Sequence, residues 1–197
     1  MLADNGGPTE TIALRLVQGN PAIGGADPAT ATATDQRGVA RDAHPDLGAF
    51  EAEEVGPPAP FRIEAETLAR VSGFRLEHVG AASGDMVIKS PNPKVEAHAR
   101  FTFTEQDGVY DLDLGYFDEN DGKSRLAVFV DGVEIDSFRF KEHLGCSRPN
   151  AKTHVERHIA NVEIETGDVI ELVGHSQHDE PLRIDYLDFT FVDDLFA

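Results

Sequence analysis

From residue 60 onward, apolar and polar residues alternate in short runs, and this period of two constrains the fold more than any other feature of the chain. Ile63 and Ala65 alternate with Glu64 and Glu66, and Phe101 and Phe103 with Arg100 and Thr102. Tyr110, Leu112, Leu114 and Tyr116 alternate with Asp111 and Asp113. Successive side chains of a strand point to opposite faces, so each such run has one face to bury. Leu126, Val128 and Val130 share a face. Asp131-Gly132 then predicts a tight hairpin turn, because both central positions favour positive φ, and Val133 and Ile135 resume beyond it. Thr166-Gly167-Asp168 separates a run ending at Ile164 from Val169–Val173, and a last run covers 184–192. About eight short strands divided by turns predict an all-β chain built as a two-sheet sandwich. No segment shows helical periodicity beyond a turn or two.

Composition divides the chain near residue 55. The first segment, 1–53, is rich in Gly, Ala, Pro, Asp and Thr, and its apolar islands, such as Ile12-Ala13-Leu14, are short. Val55-Gly56-Pro57-Pro58-Ala59-Pro60 follows; paired prolines lack ladder donors and favour an extended spacer, which predicts a linker at 54–60 and a sandwich over 61–197. In 197 residues, 36 Asp and Glu against 17 Lys and Arg leave a formal charge of −19. That charge opposes nucleic acid and anionic membranes, whose phosphates need cations. It suits cations or a saline setting. No run reaches the roughly 18 apolar residues of a membrane span. Cys146 is the only cysteine, which rules out an intramolecular disulfide or a cysteine metal cluster. Met1–Pro8 lacks the basic and apolar segments of a signal peptide, so a chain acting outside the cell is expected to be a piece of a longer one.

Three constellations can carry chemistry. Glu64 and Glu66, two apart on a predicted strand, share a face. Carboxylates held that close repel unless a cation lies between them, and a hard cation of flexible geometry such as Ca²⁺ fits; a solvated strand face is the alternative. Asp118-Glu119-Asn120-Asp121-Gly122 follows an apolar run and precedes Leu126-Ala127-Val128, as an exposed loop at one end of the sandwich would. Its glycine is one position early for an EF-hand. The loop is either a polar turn or a ligand loop, whose carboxylates and amide suit sugar hydroxyls. It is also able to hold a second Ca²⁺ bridging to a uronic acid, which would offset the repulsion between a −19 chain and an anionic glycan. Third, Arg183 can present a bidentate fork to a carboxylate, whether that of Glu180 as an internal salt bridge or that of a ligand.

Other candidates are weaker. Sugar sites favour a flat aromatic face, but the chain has no Trp. Tyr116, Phe117, Phe74 and Tyr186 remain, most of them core positions by alternation. This disfavours crystalline neutral polymers and leaves polar or charged glycans. His154 and His158 flank Glu156, and His175 and His178 are three apart, but neither pair fits a zinc helix motif. No nucleophile elbow, phosphate loop or dinucleotide fingerprint is present, and no carboxylate pair stands out as catalytic, so no catalytic residue is assigned.

Two resemblances add to this. Leu2-Ala3-Asp4-Asn5-Gly6-Gly7-Pro8-Thr9, Gly19-Asn20-Pro21-Ala22-Ile23, Thr34-Asp35-Gln36-Arg37-Gly38-Val39 and Asp46-Leu47-Gly48-Ala49-Phe50-Glu51 together resemble the C-terminal tail of secreted right-handed parallel β-helix proteins. This implies a closing rung and an upstream β-helix body. Ile63-Glu64-Ala65-Glu66, Asp131-Gly132 and Ile184-Asp185-Tyr186-Leu187-Asp188-Phe189 resemble the opening strand, central hairpin and closing strand of β-sandwich carbohydrate-binding modules near families six, thirty-five and thirty-six. Tyr116–Gly122 with Glu180 and Arg183 resembles a subgroup appended to bacterial extracellular proteins. The resemblance implies a jelly-roll sandwich and a structural calcium on Glu64, Glu66 and Asp185. It also places the Glu180–Arg183 loop beside Asp118, Glu119, Asn120 and Asp121 as a ligand site. The expected function is non-catalytic, calcium-dependent binding of a polysaccharide that anchors a larger secreted or cell-surface enzyme or adhesin. The alternatives are a structural or adhesive calcium-stabilised module, or a fragment of a β-helix polysaccharide lyase.

Overall fold

The computed structural model describes Pro8 and residues 20–52, 57–120, 122–142, 144–177 and 180–193, with the side chain of residue 193 excepted. Two compact units make up the chain: Met1–Gly56 with Asp194–Ala197, and Pro57–Asp193. The second unit is the sandwich. Its strands are β1 (Phe61–Glu64), β2 (Ala69–Ser72), β3 (Arg75–His78), β4 (Met86–Ser90), β5 (Ala97–Thr102), β6 (Gly108–Phe117), β7 (Arg125–Val130), β8 (Val133–Arg139), β9 (His154–Ile164), β10 (Val169–His175) and β11 (Leu182–Asp193). Helical structure among the described residues is limited to single 3-10 turns at Ala65–Thr67 and Ser83–Asp85. Among the described residues no helix is long and apolar enough to cross a membrane.

The strands form two antiparallel sheets. One runs β3-β4-β11-β6-β9, with β1 also paired to β11; the other runs β2-β5-β10-β7-β8. Alternation built them as expected. Tyr110, Leu112 and Leu114 of β6 are fully buried, as are Leu126 of β7 and Ile170 of β10 from the opposite sheet, and all five belong to one core. An aromatic group closes one end of that core: Phe61 stacks on Phe189 with ring centroids 4.9 Å apart, and Phe103 meets Tyr110 edge-on at 5.2 Å. The β7–β8 hairpin turns on Asp131 (φ 46°) and Gly132 (φ 79°), both positive as predicted.

There are eleven strands rather than about eight. The unforeseen ones are β2, β3 and β4, and their burial explains the omission. β2 is exposed along its whole length and β3 nearly so, while β4 buries the adjacent pair Val87-Ile88. None of the three alternates.

The described part of the first unit has a polar interior. Its only strand-like pairing is an isolated antiparallel bridge, Thr34 to Ala40. Three buried carboxylates organise the chain. Asp35 accepts from the N–H groups of Arg37 (2.7 Å), Val39 (3.0 Å) and Glu51 (3.0 Å), and from Arg37 Nε (2.7 Å). Asp46 accepts from Gly24 N–H (2.7 Å) and Ala52 N–H (2.6 Å). Glu51 accepts from Arg41 (2.6 Å) and Asp46 N–H (3.0 Å). Burial alone would raise the pKa of Asp35, but the Glu51 N–H, the Arg37 side chain and the other amides outweigh it and hold the carboxyl far below the usual range. The Asp35, Arg37 and Glu51 positions belong to the islands that resemble a β-helix tail. Residues 2–7, 9 and 19 of those islands lie outside the described residues.

Candidate functional site

Glu64, Glu66 and Asp185 come together at one corner of the sandwich. The expected shared strand face is not how the two glutamates meet. Glu64 ends β1, and Glu66 lies in the 3-10 turn that follows, because the backbone leaves the extended region at Ala65. Asp185 sits where the β11–β6 register slips between Ile184 and Tyr186, a bulge that re-aims its side chain; it is 1 % exposed. At the same place Gly115 lets the Tyr186 ring approach, since a Cβ there would lie 2.6 Å from the ring.

All three acids face the segment Ser83-Gly84, which the sequence reasoning did not include. Ser83 Oγ donates to Glu64 Oε1 (2.7 Å), and Ser83 N–H donates to both oxygens of Asp185 (3.0 and 3.1 Å). A Cβ on Gly84 would lie 3.1 Å from Glu66 Oε1. His154 Nε2 lies 2.8 Å from Asp185 Oδ2. One oxygen of each glutamate, Glu64 Oε2 and Glu66 Oε2, is buried and meets no donor among the described residues. Among the described residues no group of three or more His, Cys, Asp and Glu side chains forms a ready metal set. The signal available in the sequence was the turn-forming run Gly80–Asp85, whose Gly84 and Asp85 both take positive φ.

The second constellation lies where the end of β6 meets the start of β11. Asp118 and Glu119 are buried, Asn120 is exposed and donates its N–H to Cys146 O (3.1 Å), and Asp121 lies outside the described residues. Asp118 Oδ2 accepts from Lys141 N–H (2.9 Å) and Glu142 N–H (3.1 Å); Glu180 Oε1 accepts from Glu119 N–H (2.8 Å). The remaining oxygens, Asp118 Oδ1 and Glu180 Oε2, are buried without a donor among the described residues. The two carboxyl groups lie within hydrogen-bonding reach of each other. Gly122 allows this close packing, since a Cβ there would fall 2.2 Å from Glu180 Cβ. Burial, with the Asp118 charge added, outweighs the Glu119 N–H and pushes the Glu180 pKa up to about 7. Burial and the Glu142 charge raise that of Asp118 as well, against the two amides. Buried carboxyls in this state share a proton or take up a cation.

Arg183 does not pair with Glu180. It is held between Glu119 and Glu77, with Nη1 to Glu119 Oε1 at 2.5 Å and Nε to Glu77 Oε2 at 2.5 Å, and Lys89 completes the network on Glu77 (2.6 Å). Its antiparallel partners Phe117 on β6 and Lys89 on β4 fix it there, and Glu77 was the acid the sequence did not reveal. The aromatic candidates Tyr116, Phe117, Phe74 and Tyr186 are all buried, where alternation predicted this for most of them. His158 pairs with Asp113 (2.8 Å), and His175 with Glu96 (2.5 Å); His178 lies outside the described residues.

This architecture is the all-β sandwich of carbohydrate-binding modules. The family 35 carbohydrate binding module from Clostridium thermocellum superposes with a TM-score of 0.55 at 20 % identity, over 68 % of this chain and 100 % of that one. The CBM36-1 domain of a multidomain xylanase from the hindgut metagenome of Trinervitermes trinervoides gives 0.52 at 18 % identity, over 68 % and 98 %. No family model matches the sequence. In sequence the chain is similar to alpha-glucuronidase A of Aspergillus tubingensis, 29 % identical over 138 residues, covering 65 % of this chain and 16 % of that protein. It is likewise similar to alpha-glucuronidase A of Emericella nidulans, 29 % identical over 145 residues, covering 70 % and 17 %. The chain thus spans about a sixth of the length of these curated relatives.

Proposed function

We propose that the sandwich is a non-catalytic carbohydrate-binding module that uses calcium in two ways. One ion joins the end of β1 and the turn after it to β11 through Glu64, Glu66 and Asp185, drawing the rest of its shell from backbone carbonyls and water, since Ca²⁺ takes six to eight oxygens. The second occupies the Asp118–Glu180 pair, where its charge meets a sugar hydroxyl or a uronic acid carboxylate. Arg183 positions this rim through Glu119. The module would hold a larger extracellular enzyme or adhesin on its polysaccharide, a task for which weak single-site binding suffices because tethering raises the effective concentration.

One observation carries this reading: four buried carboxylate oxygens, on Glu64, Glu66, Asp118 and Glu180, have no donor among the described residues. Buried acceptors in stable proteins are nearly always satisfied, and a hard cation satisfies several at once. The sandwich fold supports the sugar-binding part, and similarity to proteins named alpha-glucuronidases supports a uronate-bearing glycan.

A glycan array probed with calcium and with chelator tests it. Signals on polar or acidic glycans in calcium that disappear in chelator are expected; no sugar signal in either condition would favour a purely structural module. Chelation is also expected to lower the unfolding temperature, and Glu64→Gln with Glu66→Gln to copy that loss. An unchanged melting curve in chelator would remove the structural ion.

A further inference from the structure

A cavity of about 540 Å³ is lined by side chains from β6, β7, β8 and β9, strands β8 and β9 being the edges of the two sheets. Its chemistry contrasts with the rest of a chain carrying −19. Arg125, Arg139, Lys141 and Arg157 all border it, and Glu142 is the only acid among its described lining residues. Arg125 and Arg139 lie directly opposite each other in the β7–β8 ladder, a like-charge pair that destabilises a sheet unless an anion separates the charges. Of the four cations, only Arg157 has a carboxylate partner among the described residues, Asp136 at 2.7 and 2.9 Å, and its guanidinium lies 5.3 Å from the centre of the Phe138 ring. Arg125 reaches only Ser137 Oγ, at 3.4 Å.

A second observation points into the same cavity. Tyr116, which lines it, is 6 % exposed, and its hydroxyl makes no hydrogen bond to a described residue. The Tyr116 hydroxyl is thus a donor open to the cavity beside two facing guanidiniums that have no carboxylate partner among the described residues, and one ligand can meet both.

We propose that this edge cleft binds a hexuronic acid residue, with its carboxylate forked by Arg125 and Arg139, its ring against Phe138 and a ring or hydroxyl oxygen accepting from Tyr116. Paired guanidiniums match the planar carboxylate, and an aromatic ring covers the apolar face of a pyranose. The volume accommodates one or two sugar units. An extended polyanion such as nucleic acid is disfavoured, because the cationic patch is local and the remaining surface repels it. The proposal rests on the carbohydrate-binding reading but not on calcium.

The test is calorimetric titration of the whole chain with oligogalacturonate and oligoglucuronate in chelator. Saturable binding that weakens with added salt is expected, and it should fall about tenfold or more in Arg125→Gln with Arg139→Gln and in the methyl-esterified ligand. Tyr116→Phe keeps the packing and should weaken binding severalfold, which guards against a folding defect in the double variant. No saturable uronate binding in chelator overturns the cleft while leaving the calcium-dependent site intact. Equal competition by inorganic sulfate overturns it by showing an adventitious anion site. Loss of the chelator-resistant binding in Asp118→Asn with Glu180→Gln also overturns it, by assigning that binding to the rim.

Discussion

The two units bury carboxylates in opposite ways. In the first, Asp35, Asp46 and Glu51 each receive at least two donors, mostly backbone N–H groups, and so do the work that an apolar core does elsewhere. In the sandwich, apolar packing already supplies the core, and the buried acids at its rim are left with bare oxygens on Glu64, Glu66, Asp118 and Glu180. A buried charge costs several kcal/mol unless it is paired. The satisfied acids of the first unit are therefore structural, and the bare oxygens of the sandwich are where the proposed function puts its cations.

The sharpest way to break that contrast is to remove one acid of each kind. Asp35→Asn leaves the amides of Arg37, Val39 and Glu51 facing a group that accepts at only one atom. Hydrogen-exchange protection over 35–52 should fall about a hundredfold. Glu180→Gln in chelator should instead leave the unfolding temperature unchanged or slightly raised, because it removes one of two repelling carboxyls, while calcium-dependent sugar binding disappears. If Glu180→Gln unfolds the sandwich as Asp35→Asn loosens the first unit, the two kinds of acid do not differ in role.

The same contrast fixes opposite responses to pH. Asp35 has a lowered pKa in the folded state, so its contribution is present above the ordinary aspartate value and is lost as pH falls toward its folded value. Glu180 is raised from 4.5 to about 7, so the folded state holds the proton more tightly and calcium-free sandwich stability falls as pH rises across that window. Calcium reverses the second response. It must displace the proton, so its affinity at the rim should rise more than about tenfold between about pH 5.5 and 7.5, with protons released on binding. Melting curves with and without calcium across this range check the sign, and Glu180→Gln should flatten both trends.

How far the sequence foretold this depends on whether a residue's role is local. The alternating strands and the Asp131-Gly132 turn were legible because each rests on neighbours in sequence. β2 and β3 were not, since strands exposed along nearly their whole length leave no apolar period, and they are recruited by pairing with β5 and β4. Among the candidate site residues, Glu64, Glu66 and Asp185 do converge, but through Ser83 and a bulge that no periodicity signals. Asp118 and Glu180 meet as the resemblance implied. The partners of Arg183 were half legible: an internal ion pair was foreseen, but its acids are Glu119 and Glu77, chosen by the register of β11 against β6 and β4. The cationic cleft was missed entirely, because Arg125, Arg139 and Arg157 come from three strands and only cross-strand pairing gathers them.

The smallest expected effect probes how the bare oxygens at the Glu64 corner are kept in place. Arg62 grips Asp188 with both arms of its fork, at 2.6 and 2.5 Å, lies 3.5 Å from the centre of the Tyr186 ring, and donates to Ser83 Oγ at 3.2 Å. That serine hydroxyl in turn donates to Glu64. Arg62→Lys keeps the charge and loses the fork, and a half-exposed ion pair of this kind is worth about 1 kcal/mol at most. If a calcium ion ties Glu64, Glu66 and Asp185 together, the Arg62–Ser83 link is redundant in calcium and matters only in chelator. The lowering of the unfolding temperature by Arg62→Lys should therefore be larger without calcium than with it. An equal effect in both conditions would mean that Arg62 stabilises β1 against β11 independently of the corner, and that the bare oxygens of Glu64 and Glu66 are held by the backbone of β1 and the turn after it.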